Sequence, residues 1–233
     1  MGIEIDIACP DRTFMGYLAM PEHKVGPGIV LLHDQFGIHD GLRAKADTLS
    51  QKLGMFVLIP DLYWRQQPCL NLNPARQQDQ DKARSLTGAL DLESGATDTL
   101  DTLIALREIG GCTGRVGVLG YGPGARLAFL AAARCDVNAS VAYYPAGIDE
   151  FLNEAIKITN PMLLHLAGKD EYVSDDTRNK IISSFSDYFM ITNRVYPDAQ
   201  HDFARPGSPT FDRENAALAD KRTEEFLAAN LAF

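Results

Sequence analysis

The sequence predicts an α/β domain, a mostly parallel central sheet with helices on both faces, and three observations carry that expectation. Short apolar runs alternate with longer amphipathic ones along the 233 residues, the pattern of strands joined by crossover helices. The runs Ile29-Val30-Leu31-Leu32 and Val116-Gly117-Val118-Leu119 are continuous rather than alternating, as central strands covered on both sides are. The composition, 45% hydrophobic and 23% charged, is that of an ordinary globular chain, so one domain over residues 1–233 is expected.

Strands are expected over residues 3–8, 14–20, 28–33, 55–60, 115–120, 140–144, 162–167 and 188–196. Helices are expected over 42–53, 78–92, 96–109, 123–134, 175–185 and 212–227. The third and fifth strands are the continuous runs above. The helix over 123–134 opens on Pro123, which suits a first turn. Residues 71–81, rich in Gln and other polar side chains, read as a mobile loop. No repeat, linker or low-complexity segment divides the chain.

A net charge of −9 opposes a nucleic-acid partner, because binding phosphate backbones needs a basic surface. No apolar run approaches the roughly 20 residues of a membrane span. The start, Met1-Gly2-Ile3-Glu4-Ile5-Asp6, carries no basic or long apolar leader. Gly2 does not open a myristoylation motif, since Asp6 stands where Ser or Thr is needed. A cytoplasmic protein, monomeric or homodimeric, is expected. Cys9, Cys69, Cys112 and Cys135 are too dispersed for a zinc site or disulfide scaffold. No cofactor or metal is expected.

Ligands of open α/β sheets sit beyond the carboxyl ends of the strands. After the fifth run come Gly120, Tyr121, Gly122, Pro123 and Gly124, then a helix. This is the frame of a nucleophile elbow, G-x-S-x-G, with Gly122 at its centre. Taken alone, a glycine-rich turn of this kind also suits a phosphate-binding or purely structural role. Asp170 follows the seventh strand and His201 the eighth; the order elbow, Asp, His is that of the α/β-hydrolase fold. Cys135 lies roughly 18 Å along the helix from Gly122 and does not replace a nucleophile there.

The chain resembles the dienelactone hydrolase (carboxymethylenebutenolidase) family over nearly its full length. The resemblance rests on Asp34-Gln35-Phe36-Gly37, Asp61-Leu62-Tyr63, Asp91-Leu92-Glu93-Ser94-Gly95, Val118-Leu119-Gly120-Tyr121, Ala142-Tyr143-Tyr144, Ala167-Gly168-Lys169-Asp170 and His201-Asp202-Phe203-Ala204-Arg205, in that order. It implies His201 as base, Asp170 as its orienter, Asp34 as the acid after the third strand and Arg205 as a clamp for a substrate carboxylate. Gln35, Phe36, Tyr121 and Arg84 are further substrate-binding candidates. Arg84 lies one turn beyond Gln80, which stands at the family's second arginine position, so the two share a helix face.

Two departures stand at the elbow. Gly122 occupies the place of the family's cysteine and has no side chain, which rules out a covalent intermediate there. Pro123 lacks the N–H that would complete an oxyanion hole. The expected function is therefore noncovalent His-Asp acid–base chemistry on a small, anionic carboxylate, lactone or enol: isomerisation, dehydration, cyclisation or direct water attack. The alternative is a non-catalytic small-anion binding module. An ordinary ester or lactone hydrolase would need a nucleophile that the sequence does not offer.

Overall fold

The computed structural model describes residues 2–10 and 12–232. The strands β1 (Ile3–Cys9), β2 (Arg12–Ala19), β3 (Gly26–Leu32), β4 (Phe56–Pro60), β5 (Cys112–Tyr121), β6 (Ala139–Tyr143), β7 (Met162–Lys169) and β8 (Ile191–Gln200) form one sheet in the order β1-β2-β4-β3-β5-β6-β7-β8. β1 pairs with β2 and β2 with β4 antiparallel; every later pairing is parallel. The helices are α1 (Asp40–Leu53), α2 (Gln77–Gly88), α3 (Leu92–Glu108), α4 (Pro123–Arg134), α5 (Asp175–Ser184) and α6 (Arg213–Leu231), with two short 3₁₀ turns, Ile148–Glu150 and Leu152–Lys157.

The apolar runs at β3 and β5 are covered on both sides, as their continuity predicts. Leu103 and Leu106 of α3, Leu127 and Phe129 of α4 and Ile181 of α5 pack on one face. Leu42 and Leu49 of α1 and Leu227 and Leu231 of α6 pack on the other. Most of α4 is buried, including Leu127, Phe129 and Leu130, so the turn that launches it is held rigidly. From β3 the chain crosses to β4 on one side, while β5 lies on the other. The carboxyl ends of β3 and β5 thus flank a switch point, where the two diverging connections leave a crevice for a ligand.

Several element ends differ from the sequence expectation, α2, α3 and β8 among them. The helix expected over 78–92 closes at Gly88, and α3 starts at Leu92 because the Asp91 carboxylate accepts the Ser94 N–H (3.0 Å) and caps a new helix. The stretch 71–81 is loop only as far as Arg76, after which α2 begins. β8 runs later than expected, through Pro197 to Gln200. Proline is tolerated there because β8 is an edge strand, paired only with β7. All four cysteines are free thiols. No helix among the described residues is long and apolar enough to cross a membrane.

Candidate active site

The elbow is built by close backbone packing. Gly122 joins β5 to α4 with φ 52° and ψ −114°, a conformation that costs an L-residue strain and glycine little. Its N–H donates to the Tyr143 carbonyl (3.1 Å), and its own carbonyl accepts the Ala125 and Arg126 N–H groups (3.0 and 3.3 Å), starting α4. Gly124 lets the helix meet β3: a Cβ there would stand 2.4 Å from the Leu32 carbonyl oxygen. A Cβ on Gly122, by contrast, would meet only His201 Nε2, at 3.9 Å.

His201 reaches this point from the turn after β8. Its Nδ1 lies 2.9 and 3.0 Å from the two carboxylate oxygens of Asp170, which follows β7. A carboxylate partner makes Nδ1 the donor and leaves Nε2 to face Gly122 with its lone pair when the ring is neutral. The Tyr172 N–H donates to Asp170 Oδ1 (2.9 Å) and holds the carboxylate in turn. Burial works to lower the pKa of His201, but the hydrogen bond and charge of Asp170, helped by Asp202 and Glu171, outweigh it and raise it above the ordinary histidine value. The imidazole is enclosed by the Tyr144 and Tyr172 rings, with centroids 4.9 and 4.7 Å away.

Asp34, at the end of β3, accepts the Phe36 N–H (2.8 Å) and lies 3.4 Å from His39 Nε2. Burial opposes its ionisation; His39, the Phe36 N–H and Arg205 overcome that and hold its carboxyl below the usual range. His33 fixes the strand end, with Nδ1 donating to the Asp34 carbonyl and Nε2 accepting the Leu62 N–H (3.0 Å). The Arg205 guanidinium is buried against Asp202 (Nη2 to Oδ2 2.8 Å) and Asp34 (Nε to Oδ2 3.6 Å), and it covers the Phe36 ring at 4.7 Å.

These groups line an open cavity of about 570 Å³, which holds Gly122, Pro123, His201, Asp34, Gln35, Phe36, Arg84 and Arg205 in its wall. Asp170 supports the wall from behind His201. The expected site residues are therefore gathered at one place, with one exception. Tyr121 does not line this cavity. As the last residue of β5 it points away from the turn that presents Gly122, into a separate cavity of about 70 Å³ with Lys45, His39 and Tyr144. Arg84 reaches the wall but is mostly exposed and pairs with Asp81 at 3.4 Å.

The sequence reading missed Arg126 and Tyr172, which also line the cavity, and Tyr144 against His201. Arg126 carried one usable signal, its i+4 spacing from Gly122 on the following helix. Tyr144 carried another, its place immediately after β6. Tyr63 and Trp64 do not line the cavity: Tyr63 is fully buried, its hydroxyl donating to the Gln35 carbonyl (3.3 Å) and bonded to Thr87 Oγ1 (2.8 Å), and Trp64 stacks on Phe14 at 5.4 Å and donates to Asp98 (2.9 Å).

The chain and its fold are similar to known proteins. The chain is 33% identical over 227 residues to carboxymethylenebutenolidase 1 of Cupriavidus pinatubonensis, covering 97% of this chain and 96% of that one. It is 32% identical over 217 residues to the carboxymethylenebutenolidase of Pseudomonas putida, covering 93% and 92%. The crystal structure of a dienelactone hydrolase-like promiscuous phosphotriesterase from metagenomic libraries superposes with a TM-score of 0.80 at 20% identity, covering 99% of this chain and 98% of that one, a likeness of fold. The Dienelactone hydrolase family description matches residues 14–231. From within β2 to the last turn of α6, this chain belongs to the dienelactone hydrolase family, and its fold is the α/β-hydrolase fold.

Proposed function

We propose that the protein is an enzyme in which His201, oriented by Asp170, acts as general acid and base on a small anionic lactone, enol or carboxylic acid, with no covalent intermediate. One observation carries this reading. His201 Nε2 faces the elbow, 3.9 Å from where a Cβ would begin, and the elbow residue is a glycine with no group to activate. A base so placed acts on whatever occupies that space.

For a lactone or ester the occupant is a water. Seated over Gly122 within hydrogen-bond reach of Nε2, its oxygen attacks the carbonyl carbon while its proton passes to Nε2. The imidazolium, held by Asp170, then returns the proton to the leaving alkoxide as the ring carbon–oxygen bond breaks. For an enol acid the same nitrogen takes the enol O–H proton and returns it to carbon, an isomerisation. For a hydroxy acid it takes the carbon-bound proton and delivers it to the departing hydroxyl, which leaves as water. For an unsaturated acid its protonated form gives a proton to one alkene carbon while the substrate carboxylate closes on the other. The family's lactonase names support a substrate of this chemical kind. Pro123 removes one donor to a tetrahedral oxyanion, a loss of about 10²–10³ in rate for acyl transfer. That favours the reactions that do not build such an anion, and it is also the observation that favours a second reading, a non-catalytic binder of small anions.

A spectrophotometric assay with dienelactone and an activated ester tests the proposal on the unaltered protein, on His201→Ala and on a Gly122→Cys, Pro123→Leu double variant. Turnover that His201→Ala abolishes supports water activation. Equal turnover in His201→Ala sinks it. Hydrolysis by the double variant alone moves the chemistry away from ester cleavage, toward proton transfer in enol acids or toward binding.

A further inference from the structure

Behind the contact between Asp34 and Arg205 lies the second cavity, of about 70 Å³, bounded by these two residues and by Tyr121, Tyr144, His39 and Lys45. Its polar atoms lack partners. The hydroxyls of Tyr121 and Tyr144 and Nη1 of Arg205 are buried without a hydrogen bond to any described residue, and His39 Nε2 has only the long 3.4 Å approach to Asp34. Native folds leave few buried polar groups in that state, because each costs its desolvation. Burial also pushes the pKa of both phenols up, so the two hydroxyls stay neutral and each can donate and accept. The charges at the cavity are already matched, Lys45 by Asp220 at 2.8 Å and Arg205 by Asp202 and Asp34. A further ion therefore gains little there, whereas water, neutral and both donor and acceptor, satisfies every one of these atoms. The volume of about 70 Å³ seats about two waters, each taking about 30 Å³ in the liquid.

We propose that the small cavity is a water site that supplies the elbow from behind the substrate. The partition between the two cavities is made of side chains. Asp34 and Arg205 line both, and Tyr144 borders the small one while its ring packs on His201 at 4.9 Å. Tyr144 also holds φ 42°, a left-handed conformation that strains a tyrosine, and strain of this kind collects at working sites. A substrate seated over Gly122 stands between the elbow and the mouth of the large cavity, so a water consumed at the elbow is replaced past the Asp34 carboxylate. The supply role rests on the water-activating chemistry proposed above; the occupancy of the small cavity does not.

Tyr121→Phe, Tyr144→Phe and their double variant test both parts. A high-resolution crystal structure of the unaltered protein is expected to show a water within about 3.2 Å of both hydroxyls, or of one hydroxyl and Arg205 Nη1. In thermal melts each single variant is expected to lower the Tm, and the double variant to lower it by less than the two together, since the hydroxyls share a partner. A dry cavity, or variants that melt at or above the unaltered protein, overturns the site, because removing a hydroxyl that has no partner relieves its cost. For the supply role, lactone turnover is run in methanol–water mixtures. The ratio of methyl ester to acid product is expected to rise about threefold in the double variant, a change in nucleophile choice that a loss of general stability does not produce. An occupied cavity with an unchanged ratio overturns the supply role. An occupied cavity with no turnover of any lactone removes the proposed enzyme and the supply role and leaves the water site standing. A dry cavity with turnover that needs His201 does the reverse.

Discussion

Arg205 and Asp34 come from opposite sides of the cavity and meet with Nε 3.6 Å from Oδ2, tying the end of β3 to the turn after β8. The same guanidinium holds Asp202 at 2.8 Å, and both carboxylates are buried. Arg205 is in this respect a part of the framework.

Arg205→Ala is accordingly expected to destabilise the protein by about 3–5 kcal/mol, since it leaves two buried carboxylates without their cation. Chemical denaturation measures the loss. Adding Asp202→Asn to it should recover a part, because one of the two stranded charges is then gone.

Asp170→Asn is expected to lower the imidazole pKa of His201, read by NMR titration, and to reduce turnover by about 10²–10⁴-fold. The stability effect has a definite sign. The folded pKa of His201 is raised above its unfolded value, so the stabilisation is complete below about pH 6.5 and disappears as pH rises through the folded value. Denaturation at pH 5.5 should show a larger cost of Asp170→Asn than denaturation at pH 8.5.

Gly122→Ala forces an L-residue into φ 52°, ψ −114°, a strain of about 1–3 kcal/mol. The added methyl makes only an ordinary contact with His201 Nε2. The melting temperature is expected to fall, with turnover reduced by crowding of the space over the elbow but less than in His201→Ala.

His165, fully buried in β7, bonds Tyr196 through Nδ1 (2.8 Å) and Thr223 through Nε2 (2.9 Å). Burial, then the charges of Arg222, Arg194 and Lys45, push its pKa down to about 3. The unfolded chain takes up a proton there near pH 6.5 while the folded one does not, so stability falls by up to about 1.4 kcal/mol per pH unit as pH drops from 6.5 toward 3. His165→Gln should flatten that part of the pH–stability curve, whatever its effect at neutral pH.

The eight strands and six helices were legible because burial on a sheet imposes a period on the residues themselves. Ile29 to Leu32 and Val116 to Leu119 are apolar throughout because helices cover both sides. The ends of elements were less legible, as at Asp91, where one carboxylate accepting one N–H starts α3 four residues earlier than expected. The strand-end rule singled out Asp34, Gly122, Asp170 and His201, and folding brings these four to one cavity or its supporting wall. Tyr121 lines the neighbouring smaller cavity instead, because the turn that presents Gly122 sends its neighbour's ring the other way.

The sequence by itself determined the element order, the family, the strand ends that carry chemistry and the absence of a side chain at residue 122. Those are properties of periodicity and of residue identity at fixed spacing, and they survive without coordinates. Only the tertiary structure decided which charges are already matched. Arg205 has two carboxylates as neighbours and Arg126 has none among the described residues, since ion pairs depend on distances between side chains that folding brings together from separate strands and helices.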